Sequence, residues 1–342
     1  MTPHHDEALK TQIAALLEGG GIVKVERLPT SGNNRLYLVE SRSGKFVAKH
    51  YFTHSGDKRN RLNSEFSFMS FAFKNGANCL PRPIARDDEN HIAIYSFVKG
   101  RKPDRSDVTK FAVTNALNFL VELNKHRDKA GKGLPDASES CFSIEAHIDL
   151  VERRVNRLSV VTDLHAKQFI KGEFVPVWTK LKKEILGETQ SKGVRADEDL
   201  PVADRIISPS DFGFHNALIG EDGKFNFLDF EYAGWDDPAK TVGDFFSHLA
   251  LPVPIENLGM FARGVAGLTS DSAKTLLRIG LLLRLYRIKW CCIALNHFVS
   301  IDSERRRFAG NDVEQSQKGQ LAKARKLLDS MENLREVCHG LY

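Results

Sequence analysis

The sequence predicts an α+β protein of two lobes: a small, sheet-rich lobe over residues 1–100 and a larger, mostly helical lobe over 101–342. Three observations predict it. The chain has 342 residues, more than one domain of roughly 100–200 residues usually holds. Strand-like runs dominate before residue 100 and helical spacing dominates after it. Between the two regimes lies Lys99-Gly100-Arg101-Lys102-Pro103, a polar stretch with the composition of a linker.

The elements follow in order. Leu9, Ile13, Leu16 and Leu17 recur at helical spacing, and Gly19-Gly20-Gly21 ends that helix. Residues 22–28, 35–40 and 45–51 read as short strands. They are joined by the turns 29–34 and 41–44, both rich in Gly, Ser and Asn. Residues 60–74 read as a helix ended by Asn75-Gly76. Segments 84–86 and 92–98 complete a sheet of about five strands. Beyond the linker, Ser106 is the expected cap of a helix reaching His126. Ser143 is the expected cap of a second helix, reaching about residue 162, and a third spans 165–186. The polar stretch 187–199 reads as an exposed loop. A strand at 205–208 leads into loop 209–216, and a hairpin pairs 217–219 with 225–230 across Glu221-Asp222-Gly223. Helices over 276–298 and 313–337 fill the remainder. The run Arg305-Arg306-Arg307 reads as a solvated turn, and Phe66, Phe68, Phe71 and Phe73 as packing residues.

Composition excludes several classes. Hydrophobic residues are 42% and charged residues 27%, which rules out wholesale disorder. Lys+Arg 49 against Asp+Glu 44 gives a net charge of +5, too mild for a nucleic-acid binder but favourable for a phosphorylated ligand. Cys79, Cys141, Cys291, Cys292 and Cys338 show no metal-ligand spacing and suit a reducing compartment. Residues 1–10 hold no apolar signal core, and Arg284, Arg287 and Lys289 interrupt the most apolar stretch. The expectation is a soluble, cytoplasmic protein without a membrane span.

Two segments carry the chemistry. In 208–216, Asp211 and Asn216 have the D-x-x-x-x-N spacing of a phosphoryl-transfer loop, and in 227–231 Asp229 ends an apolar strand. Phosphoryl transfer needs one carboxylate to orient the attacking hydroxyl and hard oxygen ligands to hold Mg²⁺ on the phosphates. Asp211 supplies the first; Asn216 and Asp229 supply the second. The first lobe holds the expected partners in order. Lys49 ends the apolar run Phe46-Val47-Ala48, placed to reach the α- and β-phosphates. Glu65, mid-helix, is its expected partner, with Glu89 as the alternative acid. Ser31, Gly32 and Asn33 join the first two strands where backbone N–H groups can cover phosphates. Tyr95, Ser96, Phe97 and Val98 fall where a connecting strand offers backbone groups to an adenine. Each residue alone has a bland reading, as a turn residue, a strand-end cap or a solvated lysine. The joint order is what points to a kinase.

On these residues the chain resembles the aminoglycoside phosphotransferase and choline kinase superfamily, over roughly residues 23–297 and most strongly over 207–246. The resemblance implies a bilobal, protein-kinase-like fold with an antiparallel five-stranded first lobe, and a nucleotide held between the lobes. It implies ATP- or GTP-dependent transfer to a hydroxyl of a small molecule, with Mg²⁺ as cofactor. A sugar, an amino sugar or aminoglycoside, and an amino alcohol are the candidate acceptors. Phe230-Glu231-Tyr232 resembles the choline/ethanolamine kinase form of the second segment. Asp244 resembles the acid that buttresses the catalytic loop. The sequence departs from the family where Pro209 and Ser210 stand in place of the usual His and Gly, and where the first loop holds a single glycine. Those departures keep open a catalytically weak regulator or scaffold of the same fold. Absence of an Ala-Pro-Glu segment after Asp229 argues against a protein kinase.

Four further groups have two readings. Glu231 either meets Mg²⁺ or substrate, or faces solvent. Arg284 and Arg287 are either a salt-bridged pair or an anion contact for the acceptor. Tyr232, Trp235 and Trp290 are either core or an aromatic wall for a cationic acceptor. His215 is either a loop-packing residue or a substrate contact.

Overall fold

A computed structural model describes residues 3–17, 21–29, 34–53, 59–299 and 313–342. Ser31, Gly32, Asn33 and the run Arg305-Arg306-Arg307 lie outside the described residues. The chain packs as two units. One comprises Met1–Pro103, Lys125–Ser138 and Phe214–Gly234; the other comprises Asp104–Asn124, Glu139–Gly213 and Trp235–Tyr342. The units therefore differ from a cut at residue 100. The hairpin that follows loop 209–216 packs with the N-terminal residues.

The first unit is built on a five-stranded sheet in the order β1-β2-β3-β5-β4. The strands are β1 (Ile22–Leu28), β2 (Arg35–Ser41), β3 (Gly44–His50), β4 (Pro83–Asp87) and β5 (Ile92–Ser96). Every recorded pairing is antiparallel, as expected. Alternation sends Tyr37, Val39, Ala48, Ile92 and Ile94 to one core, which Leu9 and Ile13 of helix α1 (Pro3–Leu16) cover. Helix α2 (Arg61–Lys74) starts where the Asn60 side chain accepts from the Asn63 N–H. Its Phe68 ring packs on Phe230, centroids 4.7 Å apart. A two-stranded hairpin, β7 (Ala217–Ile219) with β8 (Phe225–Phe227), completes the unit, as the Asp-Gly turn signal predicts. The linker joins it: Arg101 and Ile219 exchange backbone hydrogen bonds of 3.0 and 2.8 Å.

The second unit is mostly helical. Its helices are α3 (Lys110–Asn124), α4 (Ile144–Arg157), α5 (Leu164–Phe169), α6 (Val175–Ser191), α7 (Pro238–Ser247), α8 (Leu258–Ala266), α9 (Ser272–Leu295), α10 (Val313–Asp329) and α11 (Met331–His339). The short strand β6 (Ile206–Ser208) pairs with β9 (Gly234–Asp236). Helix α9 is buried along most of its length, and Arg284 and Lys289 sit in a protein core while Arg287 is half-buried. No helix among the described residues is long and apolar enough to cross a membrane. The five cysteines are all free thiols.

Several boundaries differ from the sequence reading. Ser106 caps no helix. It lies in a 3-10 turn (Arg105–Asp107) capped by Asp104, and α3 begins at Lys110. Ser143 does cap α4, but the helix stops at Arg157 and a 3-10 turn follows. Helix α6 runs on to Ser191, into the stretch read as loop, because Thr189 is buried and bonds the Ile185 carbonyl at 2.7 Å. The last expected helix is two, broken at Ser330, whose Oγ donates to the Leu327 carbonyl at 2.7 Å.

Candidate active site

In the first unit the centre is Lys49. It sits on β3, and its Nζ lies 2.7 Å from Glu65 Oε2 on α2 and 2.5 Å from Asp229 Oδ1. Glu231 Oε2 is 3.9 Å away. Burial works against the Lys49 charge, but Asp229, Glu65 and Glu231 outweigh it and hold its pKa well above the ordinary lysine value. Burial raises the Glu65 carboxyl against the pull of Lys49. Glu65 is therefore the acid that pairs with Lys49. Its second oxygen accepts the Phe230 N–H at 3.2 Å, which ties α2 to the segment that carries Asp229.

The hairpin places the two proposed metal ligands. Ala217 pairs with Phe227, so Asn216 and Leu228 lie across from each other, and the Leu228 N–H donates to the Asn216 carbonyl at 2.8 Å. Asp229 follows directly. It adopts φ 64, a left-handed conformation that aspartate tolerates better than most residues. Its side chain is 47% exposed, so the carboxylate remains open to a ligand while Lys49 holds one oxygen. Oxygen donors on a half-exposed hairpin end suit a hard divalent cation.

Glu231 differs. It is 6% exposed, accepts a short hydrogen bond from Asn34 Nδ2, and has Arg61 Nε at 3.6 Å. Asn34 Oδ1 in turn accepts the Phe52 N–H at 3.1 Å. Glu231 thus braces the start of β2 rather than facing solvent. The Tyr232 ring carries Arg59 above it at 5.4 Å. Tyr95 turns its hydroxyl inward to Tyr51 at 2.8 Å, and Tyr51 bonds Glu65 at 2.7 Å. The Ser96 and Phe97 N–H groups donate to the Arg82 and Lys45 carbonyls, which leaves Val98 as the half-buried residue after the strand. The His215 carbonyl accepts from Lys102 at 3.3 Å, and its ring is half-buried.

In the second unit Asp211 lies on the loop after β6. Asn124 fixes that strand by exchanging two side-chain hydrogen bonds with the Ile207 backbone, at 2.8 and 2.9 Å. Phe212 stacks on Phe245, centroids 5.3 Å apart, and Phe245 on Phe261 at 4.5 Å. The Asp211 side chain is 35% exposed and has His248 Nε2 at 3.6 Å from Oδ1. His248 Nδ1 accepts the Ala250 N–H at 3.2 Å, so in the neutral ring the proton sits on Nε2, toward Asp211. The His248 ring meets Trp290 edge-on at 4.3 Å.

Asp244, on α7, is buried. It accepts from Lys289 at 3.0 Å and from Trp290 Nε1 at 2.8 Å. Trp290 is accordingly a bonded core residue; Trp235, on β9, is half-buried. Arg284 is 1% exposed, and its terminal nitrogens donate to both oxygens of Glu188, at 3.1 and 2.5 Å. That is the salt-bridged arrangement. Arg287 is half-buried and burial lowers its pKa. Sequence reading missed Tyr51, Arg61, Lys240 and His248. Lys240 alone carries a signal there, as a lysine four residues from an acid on either side, Asp236 and Asp244.

The chain belongs to the phosphotransferase enzyme family, which matches residues 24–270. It is a phosphotransferase that acts on a hydroxyl of a small molecule, on a protein-kinase-like fold. Among solved structures it is similar to the choline kinase of Streptococcus pneumoniae, with 15% identity and TM-score 0.60, covering 96% of this chain and 99% of that one. A choline/ethanolamine kinase family protein of Mesorhizobium loti gives 16% identity and TM-score 0.60, covering 98% and 99%. Spectinomycin phosphotransferase in complex with ADP and spectinomycin gives 14% identity and TM-score 0.59, covering 97% and 98%. A comparison with curated protein sequences gives no match.

Proposed function

We propose that the protein transfers the γ-phosphate of ATP, or of GTP, to a hydroxyl of a small amino alcohol, amino sugar or sugar, with Mg²⁺ as cofactor. The observation that carries this reading is the Lys49–Glu65–Asp229 cluster, with Asp229 left half-exposed at its edge. Lys49, oriented by Glu65, holds the α- and β-phosphates. Asn216 and Asp229 would hold Mg²⁺, which would supply charge neutralisation at the transferring phosphoryl group. The strand around Tyr95, Ser96, Phe97 and Val98 receives the base.

Asp211 accepts the proton of the acceptor hydroxyl as its oxygen bonds to phosphorus and the bond to the leaving diphosphate breaks. Lys49 stabilises charge in a prearranged setting, so catalysis is positioning plus electrostatics. In this scheme residues 1–100 serve the nucleotide, and 101–342 supply the base and the acceptor site. Glu231, Tyr232 and Asp244 act as supports. Trp235 and the arginines Arg284 and Arg287 contribute to the walls of the helical part. The similar structures include both choline kinases and an aminoglycoside-type kinase, which favours a nitrogen-bearing acceptor.

Thermal unfolding with ATP and GTP, each with and without Mg²⁺, tests the nucleotide half of this reading. A ligand at 100 times its dissociation constant adds about 2.7 kcal/mol. The wild-type midpoint is expected to rise with one nucleotide in a Mg²⁺-dependent way, and Asp229→Ala to lose that dependence. A Mg²⁺-dependent shift retained in Asp229→Ala removes Asp229 from the metal site. No shift with either nucleotide favours the scaffold alternative.

A further inference from the structure

Ser210, directly before Asp211, has φ 64. That left-handed backbone is natural for glycine and unfavourable for serine, so something must hold it there. Its Oγ accepts a hydrogen bond of 2.9 Å from Lys240 Nζ. Lys240, on α7, is fully buried, and burying an ammonium is unfavourable unless it is paired. Asp236 pairs with it at 2.6 Å, and Asp244 lies at 3.6 Å. Burial works against the Lys240 charge, yet these two acids outweigh it and keep the lysine protonated.

The neighbouring residue of α7 repeats the arrangement. Thr241 Oγ1 donates to Ser208 Oγ at 2.9 Å, and Ser208 Oγ also accepts the Ser210 N–H at 3.0 Å. Both hydroxyls that flank Pro209 are thus tied to consecutive residues of one helix. Asp236 and Asp244 alone would neutralise the ammonium; its further bond goes to the one loop residue with an unfavourable backbone.

We propose that Lys240 is a positioning residue for phosphoryl transfer: its ammonium, through Ser210 Oγ, locks the left-handed turn that aims the Asp211 carboxylate. The inference rests on Asp211 being the base, as proposed above. It also accounts for a serine standing where the backbone suits glycine: the lysine supplies from outside the restraint that glycine would make unnecessary.

Lys240→Met would strand the buried Asp236 and endanger folding, so the decisive pair lies at Ser210. Ser210→Ala removes the hydroxyl and keeps the Cβ. Ser210→Gly removes the hydroxyl and also the backbone penalty. Turnover is measured from MgATP to whichever of choline, ethanolamine, spectinomycin and glucosamine wild type phosphorylates fastest, with the thermal midpoint of each variant as a check on folding. We expect kcat of Ser210→Ala to fall at least ten-fold below wild type and at least three-fold below Ser210→Gly. KM for ATP should stay within two-fold in both. Wild-type kcat in Ser210→Ala, or equal losses in the two variants, overturns the clamp while leaving Asp211 as base. A wild type that transfers phosphate to none of the four overturns the functional reading and the clamp with it.

Discussion

At the scale of single residues, the chain repeatedly buries a charge and then satisfies it from several elements. His147 of α4 is an example outside the proposed chemistry. It is fully buried, with Nε2 3.1 Å from Asp237 Oδ2 and Nδ1 2.8 Å from the Tyr286 hydroxyl. Arg278 bonds the same Asp237 oxygen at 2.6 Å. Burial lowers the His147 pKa below its ordinary 6.5, against the pull of Asp237 and with help from Arg278 and Lys240. The folded state therefore prefers the neutral ring. Its stabilising contribution is present above about pH 6.5 and declines below it, as the unfolded chain takes up the proton first. The thermal-midpoint advantage of wild type over His147→Gln is expected to shrink between about pH 7.5 and 5.5; an advantage that grows over that range would contradict it. The pairing of Lys49 with Glu65 was legible from residue type and order, since a lysine ending an apolar strand calls for an acid on the following helix. The brace of Asn34 and Arg61 on Glu231 was not, since it joins residues far apart in sequence. Neither was the pairing of His248 with Asp211, which depends on how α7 ends.

At the scale of elements, periodicity and turn chemistry placed the five strands, the hairpin and most helices. Their ends were set by contacts that periodicity does not contain. Asp104 outcompetes Ser106 because its side chain and that of Asp107 form a reciprocal capping box. Helix α6 outruns its apolar pattern because Glu188 is held by Arg284 of α9. Close approach of α7 to α9 is equally specific. A Cβ on Gly243 would stand 2.7 Å from the Tyr286 ring, and that ring is fully buried. Overpacking of this kind costs about 1–3 kcal/mol, against the roughly 1 kcal/mol that alanine gains over glycine inside a helix. Gly243→Ala is expected to unfold at lower denaturant than wild type; an increased midpoint would show that the two helices have room to separate.

At the scale of the whole molecule, the family match and the structural likenesses extend over most of the chain. The departures noted in the sequence are local: Pro209 and Ser210 before Asp211, and a single glycine in the first loop. We propose that Asp211 serves as the base for transfer to a small-molecule hydroxyl. It is tested most directly by following ³²P from the γ-position of MgATP into choline, ethanolamine, spectinomycin and glucosamine, with wild type and Asp211→Asn side by side. We expect wild type to label at least one of them in a Mg²⁺-dependent manner. Asp211→Asn should bind ATP equally well and turn over about 100-fold or more slowly, the scale of one positioned general base. Equal labelling by the two proteins would contradict the assignment.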